Sequence, residues 1–193
     1  STLQKLVKES RADAGIAFDG DGDRLIMVDQ HANILDGDDI LYIIVRSQLE
    51  KLNGAVVGTV MSNLGLEHAI NRLELDFFRA SVGDRYVMEL LLQKGLTLGG
   101  ETSGHIINLD LTTTGDGVIT ALQVLETMVS KEKSLLELVE DIKKYPQRIR
   151  NIQFDSQIDI TKNNDIDRAI KDTKDLLGNT GRVVIRPSGT ESL

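Results

Sequence analysis

The sequence predicts an α/β fold, and two observations carry that reading. Short, largely apolar runs rich in β-branched or aromatic residues, at 55–60, 77–80 and 96–98, alternate with stretches of helical period. The intervening stretches are long enough to cross over a sheet and end on turn residues, the signature of a largely parallel sheet covered by helices.

The elements follow in order. Residues 3–12 have a helical pattern, and residues 15–18 and 25–28 are apolar strands around an acidic loop. Asp36-Gly37-Asp38 is a turn with a good helix N-cap; it opens a helix over 40–52 that Asn53-Gly54 stops. Strand 55–60, helix 66–73, strand 77–80 and a helix over 85–93 closed by Gly95 come next, then strands at 96–98 and 105–108. A helix over 116–129 lies behind the loop 112–115, and Ser134 with Glu137 forms a capping box for a further helix ending before Pro146. Beyond it the pattern changes: 147–160 is strand-like but polar, 165–177 helical and 182–185 a strand, so a boundary is expected near 145–148.

Composition bounds the function. The chain has 193 residues, 40% of them hydrophobic, enough for a real core in one large domain or two small ones. No apolar run approaches the roughly 18 to 20 residues of a membrane span and no secretory signal is visible, so the expected location is cytoplasmic. The absence of cysteine removes disulfides, thiolate metal sites and a thiol nucleophile, and a net charge of −8 argues against nucleic acid as the main partner.

Three loops carry chemistry. In Asp19-Gly20-Asp21-Gly22-Asp23-Arg24 the carboxylates are hard ligands suited to Mg²⁺, and the glycines let the loop curl so that they converge. Arg24 stands beside them as a planar cation for a phosphoryl oxygen. An EF-hand fails here, because its sixth position is Arg24, its twelfth is Gln30, and the flanks are strands. Gly99-Gly100-Glu101-Thr102-Ser103-Gly104-His105 offers a carboxylate, hydroxyls and an imidazole that could hold a sugar, although a glycine-rich turn looks the same. Arg186-Pro187-Ser188-Gly189-Thr190-Glu191 follows a strand and could cradle a phosphate or be an ordinary turn. Arg85, at a helix start, could face a phosphate or pair with Asp84 or Glu89.

Together these motifs resemble the α-D-phosphohexomutase superfamily, and within it the bacterial phosphoglucosamine mutases. Asp19 to Arg24 is similar to the superfamily's metal-binding loop, Gly100 to His105 to its sugar-binding loop, and Arg186 to Glu191 to its phosphate-binding loop, in the same order. Val82-Gly-Asp-Arg-Tyr-Val87 and Thr113-Thr-Gly-Asp-Gly117 with Thr120-Ala-Leu-Gln123 look like phosphoglucosamine mutase more than phosphomannomutase or phosphoglucomutase. Two positions depart from that family: Thr102 stands where it usually has Gln, and Ser192 where it usually has Pro.

The resemblance implies a phosphohexomutase-type mixed sheet domain with helices on both faces, plus part of an α+β C-terminal domain. It divides the chain into 1–37 as the end of domain 2, 38–146 as domain 3 and 147–193 as the start of domain 4. It implies that Asp19, Asp21 and Asp23 bind Mg²⁺, that Arg24 and Arg85 act on the transferring phosphoryl group, and that Glu101, Ser103, His105, Arg186, Ser188, Gly189 and Thr190 bind substrate. The implied reaction converts glucosamine 6-phosphate to glucosamine 1-phosphate through a phosphoserine and a bisphosphate, towards peptidoglycan precursors. The phosphoserine belongs to an N-terminal domain not represented here, so the chain alone is expected to be inactive; a homodimer is among the assemblies allowed. The competing readings are a phosphomannomutase or phosphoglucomutase, and a non-catalytic module binding metal or sugar phosphate.

Overall fold

The computed structural model describes residues 1–152 and 163–185, in two compact units, Ser1–Lys144 and Tyr145–Leu193. The first begins with α1 (Thr2–Ser10), whose capping box joins Ser1 and Gln4. β1 (Ala14–Phe18) and β2 (Leu25–Asp29) form an antiparallel hairpin running from Ala14↔Asp29 to Phe18↔Leu25, and the acidic loop is its connection. A short β3 (Ile34–Leu35) adds to β2, held by a turn in which the Asp29 carboxylate accepts from the His31 and Asn33 backbone N–H groups. A strand of two residues has no periodicity, so the sequence pattern did not announce it.

α2 (Gly37–Ser47) is capped by Asp36, earlier than the predicted start, and breaks at Gln48 into a 3₁₀ turn over Leu49–Lys51 instead of continuing to residue 52. It is buried on all sides from Gly37 to Val45, the mark of a helix enclosed by the core. β4 (Ala55–Thr59), α3 (Leu64–Asn71), β5 (Asp76–Ala80), α4 (Asp84–Lys94), β6 (Leu98–Gly100), β7 (Ile106–Asn108), α5 (Gly117–Lys131) and α6 (Leu135–Leu138) complete the unit. The strands make one mixed sheet in the order β5-β4-β6-β7. β4 is parallel to β5 and β6, while β7 is antiparallel to β6 because a tight turn, with no crossover, joins those two.

Alternation along the strands divides the core between the faces. Val56, Leu98 and Ile106 pack with α2, α3 and α5 through Ile40, Leu66, Ile70 and Val124. Ala55, Val57 and Ile107 pack with α4 through Val87 and Leu91. Helices therefore cover both faces of the sheet, as the resemblance implied.

In the second unit α7 (Asn164–Leu177) is capped by Asn163, near the predicted limits. Neither the run expected as a strand over 182–185 nor residues 147–152 join a β-ladder among the described residues. The rest of the 147–160 prediction lies outside the described residues. α6 is a single turn; it does not run on towards Pro146. No helix among the described residues is long and apolar enough to cross a membrane.

Candidate functional site

A cleft of about 360 Å³ opens in the first unit at the carboxyl ends of its parallel strands, the edge where α/β sheets place ligands. Thr59 and Met61 come from the end of β4, Val82, Gly83 and Asp84 from the β5–α4 connection, and Glu101, Thr102, Ser103 and His105 from the β6–β7 turn. Asp23 and Arg24, from the acidic hairpin loop, complete the lining. Two of the three loops singled out from sequence thus meet in one place.

Backbone pairing brings them together. Leu25 N–H donates to Gly104 O at 3.1 Å, and Arg24 and His105 form an antiparallel bridge. Gly104 has φ +97°, and a Cβ there would lie 2.1 Å from Leu25 O, so only glycine permits this approach. The 115–117 loop closes the back: Gly117 N–H donates to Gly22 O at 2.9 Å, and a Cβ on Gly115 would lie 2.2 Å from His105 Nε2.

Each expected residue within the described part has a definite placement. Glu101 is 8% exposed, and its Oε1 accepts the Gly83 N–H at 2.8 Å, which joins the β6–β7 turn to the β5–α4 connection. Ser103 is exposed in the cleft, and Thr102 turns its hydroxyl away to Asp38 at 3.0 Å. His105 is buried with Nδ1 3.1 Å from Asp23 Oδ2; because a carboxylate only accepts, Nδ1 carries the proton. Its ring thus engages Asp23, and the enclosed Nε2 has no hydrogen-bond partner among the described residues. Arg24 is half exposed with Nε 3.7 Å from Asp19 Oδ2. Arg85 does not line the cleft; its guanidinium lies 2.8 Å from Glu89 on the exposed side of α4. Arg186, Ser188, Gly189 and Thr190 lie outside the described residues.

The acidic loop fits a hard cation in part. Loss of solvation pushes the Asp19 carboxyl up, but hydrogen bonds from the Arg24 and Gly22 N–H groups, together with the Arg24 charge, hold it below its ordinary value. Asp23 Oδ1 is buried with no hydrogen-bond partner among the described residues, an arrangement that calls for a cation or a donor. Asp21 is exposed, and among the described residues no three His, Cys, Asp or Glu side chains are grouped to hold a metal ion.

Two supporting residues carried no local signal. Asp38, read from sequence as part of a turn, is buried behind the cleft, and burial pushes its carboxyl up to about 6. Arg79 forks to the carbonyls of Thr59 and Ser62 at 2.8 and 2.9 Å and to Glu67 at 2.6 Å, fixing the β4–α3 loop.

Comparison with known proteins adds the following. Residues 36–145 match the phosphoglucomutase/phosphomannomutase alpha/beta/alpha domain III, residues 1–33 the corresponding domain II, and residues 131–193 the C-terminal domain. Phosphoglucosamine mutases from Nitrosococcus oceani and Alkalilimnicola ehrlichii are 56% and 53% identical over 98% of the chain, which spans 43% and 42% of their lengths. Among solved structures, a putative phosphomannomutase from Thermus thermophilus superposes with a TM-score of 0.66 at 25% identity, over 73% of this chain and 32% of that one. Aspergillus fumigatus N-acetylphosphoglucosamine mutase, in complex with GlcNAc-6P and magnesium, superposes with a TM-score of 0.70 at 20% identity, over 97% of this chain and 50% of that one, a likeness of fold.

Proposed function

The chain belongs to the phosphoglucomutase/phosphomannomutase family, and from that premise we propose that it provides the metal, sugar and phosphate loops of a phosphoglucosamine mutase. The observation that carries the proposal is the convergence of Asp23 and Arg24 with Glu101, Ser103 and Gly83 in one cleft. The relatives that match nearly the whole chain are named phosphoglucosamine mutase, which favours a hexosamine phosphate over a hexose phosphate as substrate.

The roles follow from placement. Glu101, steadied by Gly83 N–H, accepts hydrogen bonds from sugar hydroxyls, and Ser103 offers a hydroxyl that both donates and accepts. Arg24 faces the phosphoryl group undergoing transfer. Among the described residues the cleft sets Asp23, Asp84 and Glu101 against one guanidinium, that of Arg24, so an anion there calls for further positive charge. Mg²⁺ held by Asp23 and Asp19, with Asp21 turning inward, would supply that charge and polarise a phosphoryl oxygen. His105 donates to one Asp23 oxygen and leaves the other for the ion. Arg186, Ser188, Gly189 and Thr190 are proposed to hold the phosphate that is not reacting, and Arg85 to reach the cleft only by leaving Glu89. The phosphoryl donor is proposed to be a phosphoserine, and the place of action the cytoplasm.

The test is calorimetric titration of the chain with glucosamine 6-phosphate, glucose 6-phosphate and mannose 6-phosphate in the presence of Mg²⁺. Tighter binding of glucosamine 6-phosphate, weakened by Glu101→Ala, is expected. Equal affinity for all three in parent and variant would overturn the hexosamine assignment.

A further inference from the structure

A buried carboxylate behind the cleft takes no part in the chemistry above. Asp38, near the start of α2, is 1% exposed. Its Oδ1 accepts from the Thr102 hydroxyl at 3.0 Å and its Oδ2 from the Asn63 N–H at 2.7 Å. These partners belong to two different walls of the cleft, the β6–β7 turn and the β4–α3 loop. Thr102 follows Glu101 directly, and its carbonyl accepts the Gly37 N–H at 3.0 Å. A Cβ on Gly37 would lie 1.9 Å from Glu101 O and 2.6 Å from Gly104 N, so the turn rests directly on the first residues of α2. On the other wall, Asn63 caps α3 through Gly65 N–H at 2.8 Å, and Ser62 Oγ accepts the N–H of the cleft residue Thr59 at 3.0 Å.

A carboxylate is unfavourable in such a place unless hydrogen bonds satisfy it, and both oxygens of this one are engaged by the segments that frame the cleft. Neither bond is local in sequence. The geometry points to Asp38 as the positioning residue of the sugar cleft: through Thr102 and Asn63 it fixes the two walls at one separation and presents Glu101 to the sugar. This deepens, and rests on, the reading of the cleft as a hexosamine phosphate site.

The pair can be probed from its milder end. Thr102→Val keeps the side chain's shape and removes the hydroxyl, and Thr102→Ser restores it. In Asp38→Asn the amide carbonyl can still accept from Asn63 N–H, and the Thr102 hydroxyl can turn to accept from the amide nitrogen, so this variant should keep the seat. Two readouts are taken on the full chain: backbone amide hydrogen exchange without ligand, and affinity for glucosamine 6-phosphate against inorganic phosphate. Thr102→Val is expected to speed exchange at both Asn63 and Gly104, and to weaken glucosamine 6-phosphate by about tenfold, the size of one lost hydrogen bond, with phosphate affinity unchanged. Thr102→Ser and Asp38→Asn should both stay within about twofold of the parent.

Faster exchange confined to the 101–105 turn, or an equal loss of phosphate and sugar phosphate affinity, would overturn the positioning role. If the parent binds no glucosamine 6-phosphate while exchange at Asn63 and Gly104 responds as stated, the coupling of the walls stands and the hexosamine phosphate reading fails. If the parent binds it and Thr102→Val changes neither readout, the positioning role fails and the functional reading stands.

Discussion

Nδ1 of His105 lies 3.1 Å from Oδ2 of Asp23, joining two loops 82 residues apart in sequence. The contact makes one site from what the sequence offers as separate acidic and glycine-rich turns. The imidazole of His105 holds a carboxylate of the acidic loop, and the same residue lines the cleft beside Glu101 and Ser103.

Gly115 is packed against that imidazole. Gly115→Ala would drive a methyl group to 2.2 Å from Nε2, so the ring or the 115–117 loop must shift. The expected cost is about 1 to 3 kcal/mol of stability, the usual range for overpacking a close contact, read from urea unfolding. An unchanged midpoint would show that the contact is not maintained in solution.

Arg79 should be more costly to replace. It is largely buried, and its guanidinium serves Thr59 O, Ser62 O and Glu67 together. Arg79→Met leaves a carboxylate and two carbonyls short of their donor, with an expected loss of about 3 kcal/mol. Arg79→Lys should recover only part of it, because an ammonium cannot reproduce the fork. Full recovery by Lys in urea unfolding would contradict the geometry.

A pH dependence follows from the start of α2. Burial pushes Asp38 from 3.8 up to about 6, and burial together with the Asp36 charge does the same for Asp39 despite Lys144 Nζ at 2.5 Å. Each therefore binds its proton more tightly folded than unfolded. The resulting contribution to stability is complete below pH 3.8 and is lost as pH rises through about 6. Asp38→Asn carries no such charge, so it should gain on the parent between pH 5 and 7.5 by about 1.4 kcal/mol. Urea unfolding at both pH values checks this; a constant gap would remove the assignment.

The metal loop makes its own prediction. Mn²⁺ substituting for Mg²⁺ should broaden amide resonances at Asp19 to Arg24 and, through the Leu25–Gly104 pairing, those of Gly104 and His105. Asp23→Asn should abolish the effect by weakening the ion more than about tenfold. Broadening that persists in this variant would place the ion elsewhere.

Much of this architecture was legible in the sequence, because the strands and helices around the sheet follow local periodicity and cap chemistry. Asp116, Ser134 and Gly95 mark their helix ends as expected. What escaped was non-local. Asp38 sits in a run of aspartates that reads as a cap, and only its bonds to Asn63 and Thr102, 25 and 64 residues away, reveal its burial. Gln48 ends α2 within a pattern that favours continuation, and the two-residue β3 depends on a turn built by Asp29. The two main loops were recognisable because their residue types are chemically unusual, but their meeting depends on Gly104 and Leu25, which look ordinary until paired.

The central claim is that the acidic loop and the Glu101 turn form a single hexosamine phosphate site. Its most direct test is titration of the ¹⁵N-labelled chain with glucosamine 6-phosphate in Mg²⁺, following individual amides. The expected result is saturable shifts at Gly83, Glu101, Ser103 and Gly104 together with Asp23 and Arg24, with binding about tenfold weaker or more in Glu101→Ala. Shifts that leave either loop untouched, or that persist undiminished in Glu101→Ala, would contradict it.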